Sequence, residues 1–125
     1  MAKVLIVEDD PSLRKIYVSI LTKEGFDVTG AFDGKEGLRL ASESEPDLIL
    51  LDMMMPNMTG IEFLRAYDIP GKHPKVKVIA FSNTEQAEFV DESKKLGATA
   101  YMAKFRFTPG SLVAMVRETL SVKRE

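Results

Sequence analysis

Leu48-Ile49-Leu50-Leu51 is a run of four large apolar residues that stops on a carboxylate, Asp52. A short uninterrupted apolar run reads as a strand buried on both faces, the pattern of a parallel sheet covered by helices. The residues that follow, Met53-Met54-Met55-Pro56-Asn57-Met58-Thr59-Gly60, include Pro56, Asn57 and Gly60 and read as a loop. Open α/β sheets gather their ligands at the carboxyl ends of strands, and Asp52 stands at such an end. Taken alone, Asp52 is more simply read as a strand-ending residue that caps a turn. The rest of the chain decides, because it brings polar groups to three other strand ends.

The chain in order alternates strand and helix. Val4-Leu5-Ile6-Val7 is a second apolar run and ends on Glu8-Asp9-Asp10. Asp10 before Pro11 predicts an N-cap, and Leu13, Ile16, Tyr17, Ile20 and Leu21 give the inward face of a helix closed by Gly25. Phe26 to Phe32 is a short strand, and Asp33 with Glu36 opens the next helix. After the Asp52 loop, Ile61, Phe63, Leu64 and Tyr67 predict a third helix, and Pro70, Gly71 and Pro74 make 68–75 a loop. Val76 to Phe81 is the fourth strand, ending on Ser82-Asn83-Thr84. A polar helix then runs to Leu96, Ala98 to Ala103 is the fifth strand, and Lys104 ends it. Thr108-Pro109 opens a last helix that ends near Ser121.

Five strand–helix units imply right-handed crossovers and one parallel sheet with helices on both sides. With 125 residues, the chain reads as a single domain over 1–125, without repeats or linkers. It contains no cysteine, so disulfide and thiol chemistry are excluded. Seventeen basic against nineteen acidic residues, a net charge of −2, do not suggest a nucleic-acid surface. No apolar run reaches the ~18 residues of a membrane span, so a cytoplasmic protein with no membrane contact is expected.

The strand ends thus carry Glu8 and Asp9, Asp52, Ser82 and Lys104. Carboxylates that converge repel one another, and oxygen-only donors suit Mg²⁺. A carboxylate can attack phosphorus to form an acyl phosphate, whose oxygens a cation, an ammonium and a hydroxyl would stabilise. Each group also has a plainer role. Ser82 with Glu85 fits a capping box, Lys104 fits a solvated strand-end lysine, and the methionine run fits loop packing. His73, with no His or Cys companion, is not expected to bind metal or act in catalysis.

Jointly these residues resemble the receiver domain of two-component response regulators over essentially the whole chain. The matching stretches are 4–10, 47–60, the Ser82 strand end, Leu96-Gly97-Ala98 and Tyr101-Met102-Ala103-Lys104. The resemblance implies a flavodoxin-like (βα)₅ doubly wound sheet of order 2-1-3-4-5, with Asp52 as phosphoacceptor. It implies Mg²⁺ held by Glu8, Asp9, Asp52 and the backbone carbonyl of Met54, Asp9 more directly than Glu8. Ser82 resembles the switch hydroxyl, Lys104 the lysine that pairs with the phosphoryl group, and Tyr101 the aromatic that turns inward. The family lysine is usually followed by Pro-Phe, often across a cis peptide. Here Phe105-Arg106 replaces that proline, Phe107 takes the phenylalanine place, and a trans bond is expected because a non-proline cis bond costs ~3–4 kcal/mol.

The function implied is a phosphorylation switch in a phosphorelay, not an enzyme. Its partners would be a sensor histidine kinase or phosphotransfer protein and a downstream effector, or a C-terminal output domain absent from this chain. Two other classes remain: a receiver-like module that works by protein contacts without phosphate, and a flavin or nucleotide binder of the same fold. The five retained polar residues weigh against the first, and Glu8-Asp9-Asp10 would repel a phosphate where the second needs a cradle.

Overall fold

A computed structural model describes residues 1–83, 86–104 and 108–122. The strands are β1 (Lys3–Val7), β2 (Asp27–Ala31), β3 (Leu48–Asp52), β4 (Lys77–Ser82) and β5 (Ala100–Ala103). All pairings are parallel and the order is β2-β1-β3-β4-β5, the flavodoxin-like arrangement expected. The helices are α1 (Pro11–Lys23), α2 (Gly34–Ser44), α3 (Gly60–Tyr67), α4 (Ile69–Lys72), α5 (Ala87–Lys95) and α6 (Pro109–Ser121).

Successive side chains of a strand point to opposite faces, and here they feed two separate cores. Leu5, Val7, Ile49 and Leu51 pack with Phe63, Leu64 and Tyr67 of α3. Val4, Ile6, Leu48 and Leu50 pack with Tyr17 and Leu21 of α1 and Leu112 and Val116 of α6. All five residues of β3 are buried, which is why its sequence shows no alternation.

Local chemistry sets the helix starts. Asp10 Oδ1 accepts from the N–H groups of Ser12 and Leu13 at 2.9 and 3.1 Å, with Pro11 in the first turn. Thr59 and Glu62 form a full capping box at α3, and such caps contribute about 1 kcal/mol each. Glu36 reaches back to the Phe32 N–H while Asp33 accepts from the Glu36 N–H, so α2 opens with a variant of the same device.

Two expectations are corrected. Residues 68–75 are not all loop: Ile69–Lys72 form the one-turn helix α4. Asp68, at φ +57°, ends α3 and caps α4 by accepting from the Gly71 N–H at 3.2 Å. Pro70 lies where a first turn tolerates proline, so the residues that look like breakers instead start a helix. Ile16, expected on the inward face of α1, is 47% exposed, and Tyr17 and Leu21 carry that face. Strand bounds also tighten, to Asp27–Ala31 and Ala100–Ala103. His73 ends α4, stacked on Tyr67 with centroids 3.8 Å apart and planes at 4°, its Nδ1 2.8 Å from Glu45 Oε2.

Candidate functional site at the strand carboxyl ends

Parallel pairing brings the carboxyl ends of β1, β3, β4 and β5 to one edge of the sheet, and the polar residues collect there. Glu8 continues β1, its N–H donating to the Ala31 carbonyl at 3.2 Å. Its side chain turns inward and is only 2% exposed. Asp52 is the last residue of β3, 3% exposed, with Oδ1 accepting from the Met54 N–H at 3.0 Å. Asp9 is half-buried. Carboxylate oxygens of Glu8, Asp9 and Asp52 lie within 4.8 Å of one another.

Lys104, just past β5, reaches into this group. Its Nζ is 2.8 Å from Glu8 Oε1 and 3.1 Å from Asp52 Oδ2, and its side chain is 14% exposed. It is therefore not the solvated lysine of the plainer reading. Burial pushes Glu8 up to about 7; the hydrogen bond and charge of Asp52 add to this, and Lys104 opposes it. Burial alone would lower Lys104, but its bond to Glu8 and the charge of Asp52 more than offset this, holding the ammonium above the usual lysine range. Glu8 and Asp52 thus share the Lys104 ammonium, and burial disfavours the ionised form of Glu8.

Ser82 is fully buried at the end of β4, in register with Ala103 of β5. The N-cap of α5 is Gln86, without a side-chain cap bond. Glu85, the other half of the expected box, lies outside the described residues, as does the stretch 105–107 after Lys104. Tyr101 is half-buried on β5, opposite Ala80, and packs on the core beside α3. In the methionine run Met53 and Met55 are buried and Met54 is 58% exposed, so loop packing accounts for two of the three. Asp10 caps α1, outside the acid group, as expected.

One contact had no sequence signal. Arg14 Nη1 donates to the backbone carbonyl of Glu8 at 2.8 Å. An arginine one turn into a helix looks like any exposed helical cation, and only the packing of α1 on the sheet aims it.

The donor set fits a divalent cation: three carboxylates, oxygen atoms only, close enough to share one ion. A family profile described as response regulator receiver domain matches residues 4–117. The chain belongs to that family. The receiver is 39% identical over 118 residues to the DNA-binding response regulator MtrA of Mycolicibacterium smegmatis, covering 94% of this chain and 50% of that protein. It is 34% identical over 102 residues to sporulation initiation phosphotransferase F of Bacillus subtilis, covering 82% of this chain and 81% of that one. Among solved structures, chemotaxis protein CheY4 of Vibrio cholerae matches with a TM-score of 0.88 and 33% identity, over 95% of this chain and 98% of that one. The receiver thus spans about half the length of the MtrA relatives it matches. Among the described residues no helix is long and apolar enough to cross a membrane.

Proposed function

We propose that residues 1–125 form one receiver that carries a phosphoryl group on Asp52, received from a histidine kinase or phosphotransfer protein. The observation that carries this is the Lys104 ammonium bridging Glu8 and Asp52 within the group of three carboxylates. Glu8, Asp9 and Asp52 would hold Mg²⁺, with the Met54 carbonyl as a further oxygen. That ion supplies charge neutralisation for an incoming phosphoryl group.

The chemistry is a displacement at phosphorus. An Asp52 carboxylate oxygen forms the new P–O bond as the P–N bond to the donor histidine breaks, and the released imidazole nitrogen takes a proton. Lys104, freed from part of its pairing with Asp52, contributes charge to the transferring oxygens. The product adds nearly two negative charges and three acceptor oxygens at the end of β3. The Ser82 hydroxyl, on the next strand, donates to one of them, and Tyr101 fills the space it vacates. An effector, or an output domain on a longer chain, then reads the altered face between α5 and β5. Signalling of this kind takes place in the cytoplasm.

Phosphorylation by a small phosphoramidate or acyl phosphate, followed by mass spectrometry, tests this reading. One phosphate should appear with Mg²⁺ present and none in Asp52→Asn. Metal-independent labelling, or undiminished labelling of the variant, would refute it.

A further inference from the structure

Both peptide units that flank Asp9 are held. The unit after it donates the Asp10 N–H to Glu8 Oε2 at 3.1 Å. The unit before it presents the Glu8 carbonyl to Arg14 Nη1 at 2.8 Å. A hydrogen bond from a guanidinium is charge-assisted, and its planar fork fixes direction as well as distance. The Arg14 stem reaches this position by crossing β2 at Gly30. A Cβ there would lie 3.2 Å from both Arg14 Cγ and Cδ, so the stem runs where a side chain would otherwise stand. The Lys104 ammonium holds the side chains of Glu8 and Asp52. Asp9 is the least buried of the three acids.

We propose that Arg14 is a positioning residue for the acid group: it holds the Glu8–Asp9 peptide plane and thereby aims the Asp9 carboxylate at the oxygens of Glu8 and Asp52. The inference rests on reading that group as a Mg²⁺ site. Groups that orient metal ligands through a hydrogen bond typically change affinity by 10–100-fold when removed. Gly30 belongs to the same device, because its bare backbone is the path of the stem.

Mg²⁺ titration of the purified chain without phosphodonor, followed by backbone-amide NMR, tests it. The wild type should bind at the acid group, and Asp9→Ala should abolish that binding. If the wild type does not bind, the metal reading fails and this inference falls with it, a result distinct from those below. Given binding, Arg14→Ala should weaken Mg²⁺ about tenfold, with amide shifts concentrated at 8–10 and not at 52–54. Arg14→Lys keeps the charge but loses the fork, and should leave most of the loss in place. Full recovery by lysine, or wild-type affinity in folded Arg14→Ala, would overturn the proposal. If Arg14→Ala does not fold, Gly30→Val decides. It displaces the stem while Arg14 remains, and should also weaken Mg²⁺ several-fold; unchanged affinity would overturn the proposal.

Discussion

Replacing Glu8 by glutamine removes one ionisable group from the most buried position of the acid group, and the consequence for stability can be worked out. Glu8 titrates at about 7 in the folded chain against an ordinary value of 4.5. Below pH 4.5 the carboxyl is protonated in folded and unfolded chains alike. Between 4.5 and 7 the unfolded chain gives up the proton and the folded one keeps it, so stability falls by about 1.4 kcal/mol per pH unit. Above 7 both are ionised and the deficit is complete, at about 3 kcal/mol. Glutamine has nearly the same shape, still accepts from Lys104 and never ionises. The stability of Glu8→Gln relative to the wild type should therefore rise by about 3 kcal/mol from pH 4.5 to pH 8, or roughly 10 °C in Tm for a domain of this size. Urea unfolding by circular dichroism, in EDTA at pH 5, 6, 7 and 8, measures it. Stability curves that stay parallel across that range would refute the reasoning. Adding Mg²⁺ should flatten the wild-type curve, since a metal favours the ionised carboxylate.

Gly60→Ala should cost about 1–3 kcal/mol in urea unfolding, because its Cβ would stand 2.7 Å from Met53 Cα and force the loop after Asp52 to shift. An unchanged midpoint would mean that the 53–60 loop yields freely. Ser82→Ala should accept phosphate about as well as the wild type, yet show little change in amide exchange over 86–101 on adding beryllofluoride. A full response would put the switch elsewhere than in the Ser82 hydroxyl.

How much of this was legible depends on what kind of signal each feature leaves. β3 could be read because burial on both faces suppresses alternation, and Asp52 because a charge ends an apolar run. Asp10 and Asp33 were legible as caps, since capping is settled within four residues. The one-turn helix α4 was not, because Pro70 and Gly71 signal a break unless Asp68 is known to adopt a left-handed conformation and accept from Gly71. The unequal burial of Glu8 and Asp9, and the pairing of Glu8 with Lys104, were also hidden. Adjacent acids look equivalent in a sequence, and only the pleat decides that Glu8 turns inward to Lys104 while Asp9 stays half-buried. The His73–Glu45 contact and the path of Arg14 over Gly30 depend on contacts between segments far apart in sequence. No local pattern announces them.

The ion pair between Lys104 and Glu8 joins residues 96 positions apart, and it bears on the order in which the molecule is made. Chains emerge from the ribosome amino end first, and domains begin to fold as they appear. β1, β2, β3 and β4 are complete by residue 82, and from then on Glu8, Asp9 and Asp52 can already face one another. The ammonium that separates two of them arrives only with the edge strand β5. Until then, a proton on Glu8 is the means by which the nascent sheet can lower its own repulsion. The residue just past the last strand to be synthesised thus carries the charge that makes Glu8 and Asp52 compatible with a closed fold.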